Sequence, residues 1–211
     1  LVIKAVLAII IAYLLGAIPF AYLAGRLFKG IDIRKVGGGN MGAVNTAREV
    51  GPAVGLLVLV ADMAKGAVAV LIARWLDLPL LLVFAAGFAA VIGHNWPAFL
   101  GFRGGKGAAT AIGVLLALVP AEMAISLGIM VVVIVITSNF RLAIVVGLGL
   151  LPVIIWQLNG SGMLIAYSVA LFVFLGIRSL PSTREAMTEP KRKKNLIFDR
   201  DYHFWQTRKN K

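Results

Sequence analysis

The sequence has no cysteine, only two histidines and only nine carboxylates in 211 residues. The first absence removes disulfides, thiolate nucleophiles and cysteine-held metals together. The other two shortages leave little from which to build a metal centre, so no metal or other cofactor is expected. Charge is scarce as well: 14% of residues are charged, 60% are apolar, and mean hydropathy is +0.94. Soluble domains are roughly 45–50% apolar, so too little polar side chain remains here to cover a water-facing surface. These numbers argue against a soluble domain and for a polytopic membrane protein. The charge that exists is one-sided, +12 net. Beside membrane-length apolar runs, that excess reads as topology and anionic-lipid contact, with no nucleic-acid partner.

Apolar stretches run over 2–28, 51–76, 78–100, 107–137, 142–158 and 163–177, the first broken by Gly16, Pro19 and Gly25. Most are near the roughly 17–25 residues that a crossing needs. The fourth is longer and is interrupted at Pro120-Ala-Glu122. Charge decides whether it crosses once or twice. Arg26, Lys29, Arg34, Lys35 and Arg48 flank the first loop, Arg103 and Lys106 lie in a later one, and Arg141 follows the stretch in question. Ten more cations lie from Arg178 onward, whereas Lys4 and Arg74 sit at the opposite ends. Two crossings put 18 cations on one side and two on the other. A single crossing would move Arg141 and the tail outside, against the positive-inside rule. The expected fold is therefore an all-α membrane helix bundle of seven transmembrane segments, N-terminus outside and C-terminus cytoplasmic. Residues 107–119 would span only ~20 Å, short of the ~30 Å hydrocarbon core. Such a short helix is acceptable if the loop before it dips into the bundle.

Residues 1–180 are expected to form the transmembrane domain and 181–211 a basic cytoplasmic tail. Lys191-Arg-Lys-Lys194 in that tail suits anionic headgroups. The run from Phe198 to Trp205 suits an interfacial anchor or docking to a membrane-complex partner. No cleavable signal peptide is expected, because the first apolar segment lacks a basic start and a small-residue cleavage site. There is no internal repeat, which disfavours a transporter.

Two glycine-rich loops fall on the expected cytoplasmic side. One reads Val36-Gly37-Gly38-Gly39-Asn40-Met-Gly-Ala-Val44-Asn45-Thr-Ala-Arg48. The other reads Gly93-His94-Asn-Trp-Pro97-Ala-Phe-Leu-Gly-Phe-Arg103-Gly104-Gly105-Lys106-Gly107-Ala-Ala-Thr110. Glycines let backbone approach a ligand, and a helix starting after such a loop offers amides to an anion. With Arg103 and Lys106 flanking the turn, phosphate is the natural ligand class. This is not a Walker A loop, since Leu100 and Gly107 stand where glycine and a hydroxyl residue are needed. No His-x-x-x-x-Asp pair and no Gly-x-Ser-x-Gly elbow occur. Asp62 and Lys65, three apart, share one helix face. They read either as a structural ion pair, or as Lys65 turned to the cavity with Asp62 orienting a loop amide or arginine. His94 reads as a base, a phosphate donor or a packed cap.

The two loops, with Asp62-x-x-Lys65-Gly66 between them, resemble the bacterial acyl-phosphate:glycerol-3-phosphate acyltransferases of the PlsY type. The resemblance covers roughly residues 14–113. It implies a membrane enzyme that moves a fatty acyl group from acyl phosphate to the 1-hydroxyl of glycerol 3-phosphate, without a metal. Carried over by position, it makes Lys106, Arg48 and His94 the catalytic candidates. Gly37, Gly38, Gly39, Asn40, Asn45, Lys65, Arg103, Gly104, Gly105 and Gly107 become the phosphate- and substrate-binding candidates, with Gly104 and Gly105 presenting amides. Acyl phosphate needs no covalent nucleophile, so holding two phosphates and aligning the hydroxyl with the carbonyl suffices. The chain departs from the family pattern at three places. Gly38 stands for a serine, Val44 for a threonine, and Gly176-Ile-Arg178-Ser for a His-Arg-x-Asn motif. Weakened activity on an intact fold is expected. The second reading is a catalytically impaired member acting as an accessory or structural subunit of a membrane complex.

Overall fold

A computed structural model describes residues 1–188, and every regular element among them is helical. The expectations for 191–194 and 198–205 lie outside the described residues. The first apolar stretch breaks where the sequence places proline. α1 (Val2–Ala17) stops, and α2 (Phe20–Lys29) starts after Pro19. Pro19 has no N–H and pushes the preceding residue out of the helical region, and Ile18 accordingly has ψ 118°. Next come α3 (Ala43–Glu49), α4 (Pro52–Trp75), α5 (Leu80–Asn95), α6 (Ala108–Leu118), α7 (Pro120–Thr137), α8 (Phe140–Leu158) and α9 (Gly162–Thr188). Among the described residues, six stretches are long and apolar enough to cross a membrane, with α6 the shorter apolar helix beside them. The fourth sequence stretch thus divides in two at Val119, where Pro120 opens a new helix.

Contacts divide the chain into two compact units, Leu1–Pro120 and Ala121 onward. The last helix, α9, runs through Pro181 to Thr188. In the first unit, helices approach through glycines, as membrane bundles do. A Cβ on Gly16 of α1 would strike the Ala90 carbonyl of α5, and one on Gly93 would strike Tyr13. α4 and α6 repeat the arrangement, Gly66 lying on Thr110 and Gly113 on Met63. Gly66 is near the middle of α4 and Thr110 is in the first turn of α6. The short helix therefore begins alongside the middle of the long one, and the loop before it descends to that level. At the other end of α6, the Arg74 guanidinium donates to the Ala117 and Leu118 carbonyls at 2.8 and 3.4 Å. The second unit packs α8 on α9. In it the Ser126 hydroxyl donates to the Gly147 carbonyl at 2.9 Å, and the Asn139 side chain caps α8.

Candidate functional site

The first loop is anchored before it turns. Ile33 and Met41 are buried against Ala21, Ala24 and Val58, so apolar burial pins both shoulders of the glycine run. Asp32 caps the turn ahead of it, accepting from the Arg34 amide at 3.0 Å and from its guanidinium at 2.8 and 3.0 Å. Those bonds hold the Asp32 carboxyl down at about 2 and push Arg34 up. Arg34 and Arg26 both lie on the Tyr22 ring, 5.0 and 5.3 Å from its centre. Asn45 organises the loop from inside. Its Oδ1 accepts from the Gly38 amide at 3.0 Å, and its Nδ2 donates to the Ile33 and Val36 carbonyls. The Asn45 side chain is spent on the loop's own backbone. Gly37, Gly38 and Gly39 are exposed, Asn40 is half-buried, and Arg48 stands exposed in the last turn of α3.

The second loop folds back onto the end of α5. The Gly104 amide donates to the Asn95 carbonyl at 3.2 Å and the Gly105 amide to the His94 carbonyl at 3.1 Å. The expectation that these two amides face an anion is therefore corrected: they close the C-terminus of α5, whose last carbonyls need partners. Gly105 owes its identity to crowding, because a Cβ would meet His94 Nε2 and the Met41 carbonyl. Gly107 has φ +83° and lies over the Asn95 side chain, so only glycine fits there. Lys106 between them is half-buried, and Arg103 is exposed. The Gly105–Met41 contact joins the loops, placing Lys106 and Asn40 next to the junction in sequence.

Beneath the junction lies a buried ionic cluster. Lys65 Nζ is 2.7 Å from Asp62 Oδ1, and His94 Nδ1 is 3.5 Å from the same oxygen. Lys65 also donates to the Ile18 carbonyl at 3.0 Å and lies 5.6 Å from the centre of the Phe20 ring. In a continuous helix the Ile18 carbonyl would be bonded within its own turn. At the Pro19 break it accepts instead from the Phe20 amide at 3.2 Å and from the Lys65 ammonium. The intrahelical ion pair is thus the observed arrangement, and Asp62 contacts an imidazole rather than a loop amide or arginine. A small cleft at this cluster is lined by Ile18, Phe20, Met41 and Pro97. The sequence singled out Asp62, Lys65 and His94 separately but gave no sign that His94 joins the pair at Asp62 Oδ1, nor that Met41 bridges the loops. Asn95, fully buried beneath Gly107, carried no sequence signal.

The family model for glycerol-3-phosphate acyltransferase matches residues 6–185 and so spans both loops. Glycerol-3-phosphate acyltransferase 1 of Dehalococcoides mccartyi is 42% identical over 199 residues, covering 92% of this chain and 96% of its own. The enzyme of that name from a Synechococcus species is 40% identical, covering 90% of this chain and 96% of its own. The crystal structure of PlsY (YgiH), an integral membrane glycerol 3-phosphate acyltransferase, in its glycerol 3-phosphate form superposes with a TM-score of 0.80. It is 31% identical and covers 87% of this chain and 92% of that one. The matched length, the sequence identity and the shared fold agree, and the chain belongs to the glycerol-3-phosphate acyltransferase family.

Proposed function

We propose that this multi-pass membrane protein acylates glycerol 3-phosphate in phospholipid synthesis, taking the fatty acyl group from acyl phosphate and releasing lysophosphatidate and phosphate. The observation that carries the reading is the meeting of the two glycine loops at Gly105 and Met41. It sets Lys106 and Asn40 beside one junction, with Arg48 at the end of the helix that the first loop opens. The substrate hydroxyl attacks the acyl carbonyl carbon. An ester C–O bond forms, the C–O bond to phosphate breaks, and phosphate leaves with the electron pair. The hydroxyl proton passes to the departing phosphate, the base that the reaction itself supplies. Lys106 and Arg48 hold phosphate charge and align the two substrates. His94, with Nδ1 toward Asp62 and Nε2 at Gly105, suits holding the loop better than taking a proton. The loops face the cytoplasm, the N-terminus lies outside, and the tail meets anionic headgroups. No observation favours the accessory-subunit alternative.

The full chain in lipid, given acyl phosphate and glycerol 3-phosphate, should form lysophosphatidate. Lys106→Ala and Arg48→Ala should each lower kcat/KM about a hundredfold, the scale of losing one charge-stabilising donor. A wild-type chain that forms no product would sink the reading.

A further inference from the structure

The buried cluster joins groups that the sequence keeps far apart. Asp62 is 1% exposed, Lys65 5% and His94 6%. An isolated charge at such depth would cost several kcal/mol, so each must serve another. Lys65 reaches out of α4 to the Ile18 carbonyl at the α1–α2 break. His94 reaches the other way. Its carbonyl holds the Gly105 amide, and its imidazole lies where a Gly105 side chain would be. Both converge on one carboxylate oxygen, Asp62 Oδ1, at 2.7 and 3.5 Å. One atom of α4 therefore ties the kink of the first span to the loop that presents Lys106.

We infer that Asp62 is a positioning residue for acyl transfer, holding the His94 imidazole against Gly105 and thereby fixing the junction of the two loops. Charge balance with Lys65 alone would need no histidine. The imidazole is what extends the cluster to the loop. This inference rests on the acyltransferase reading, and the same assay separates the two. A wild-type chain without turnover sinks the reading, whereas an active wild type leaves the variants to judge Asp62.

Asp62→Asn strands the Lys65 ammonium and is expected to lower the melting temperature. Asp62→Asn with Lys65→Met removes both charges and should restore most of that stability, yet keep kcat/KM at least tenfold below wild type. Recovery of activity to within twofold in this double variant would show that Asp62 only neutralises Lys65, and would overturn the inference. His94→Gln supplies an arm that leaves the ion pair intact. It should lose at least tenfold in kcat/KM with the melting temperature nearly unchanged. Combined with Asp62→Asn, it should add little further loss, because coupled residues are not additive. Activity within twofold of wild type in His94→Gln would overturn the inference whatever the aspartate variants do.

Discussion

Gly38 has room that its neighbours lack. The nearest atom to a Cβ placed there is Asn45 Oδ1 at 3.9 Å, ordinary contact, and its backbone is not left-handed. The serine that the family pattern carries at this place therefore fits without moving the loop. Val44 is half-buried in the first turn of α3, where a threonine hydroxyl can be added at equal volume. Gly38→Ser with Val44→Thr should raise turnover severalfold, as steady-state kinetics would read, if hydroxyls there bind the transition state. Unchanged turnover would show that the chain works without them. Asp32 allows a different test at the same scale. Its carboxyl lies at about 2 when folded against an ordinary 3.8, so the folded chain binds its proton less readily than the unfolded one. The Arg34 pair thus contributes stability in full above the ordinary value, and loses it as pH falls toward 2. Melting of wild type and Asp32→Asn should differ most at neutral pH and converge between about pH 4 and 2. The pair is partly solvent-facing, so the difference should be small.

At the scale of elements, breaks and lengths were legible in the sequence, and contacts were not. Pro19 and Pro120 mark helix ends because proline restricts its neighbour wherever it stands. The shortage of residues between Gly107 and Val119 required a descending loop if this stretch is to cross, and Thr110 does lie beside Gly66 near the middle of α4. That Lys65 would find the Ile18 carbonyl was not legible, because the carbonyl becomes available only through the break and within reach only through packing. Gly104 and Gly105 show a deeper ambiguity. A glycine turn that closes a helix and one that cradles an anion use the same amides, and only the fold-back onto α5 tells them apart. The α4–α6 crossing gives a prediction. Gly66→Leu would drive a side chain into the Thr110 backbone and should destabilise by about 1–3 kcal/mol or more, since neither helix can yield cheaply. Activity should fall with it, because α6 starts immediately after the loop that bears Lys106. Thermal denaturation beside the activity assay reads both.

For the whole molecule, the charge count across the spans predicts orientation. Reporter fusions after Lys29, Lys106 and Arg141 should read cytoplasmic, and one near Asp77 should read outside. A cytoplasmic Asp77 together with a cytoplasmic C-terminal fusion would break the argument.

Arg74, one of the two cations that the charge count expects outside, is already engaged. Its guanidinium holds the final carbonyls of α6, a helix of only 11 residues. During synthesis α4 emerges well before α6, and a stretch that short is a weak insertion signal by itself. The order of emergence means α6 meets a partner already in place, with a glycine seat at Gly66 and a charged clasp at Arg74. The expected crossing of α6 then becomes a docking event rather than an independent insertion, as the following variant tests. Arg74→Leu, though it makes α4 more apolar, should misroute a fraction of newly made chains, seen as mixed orientation of the reporter after Arg141.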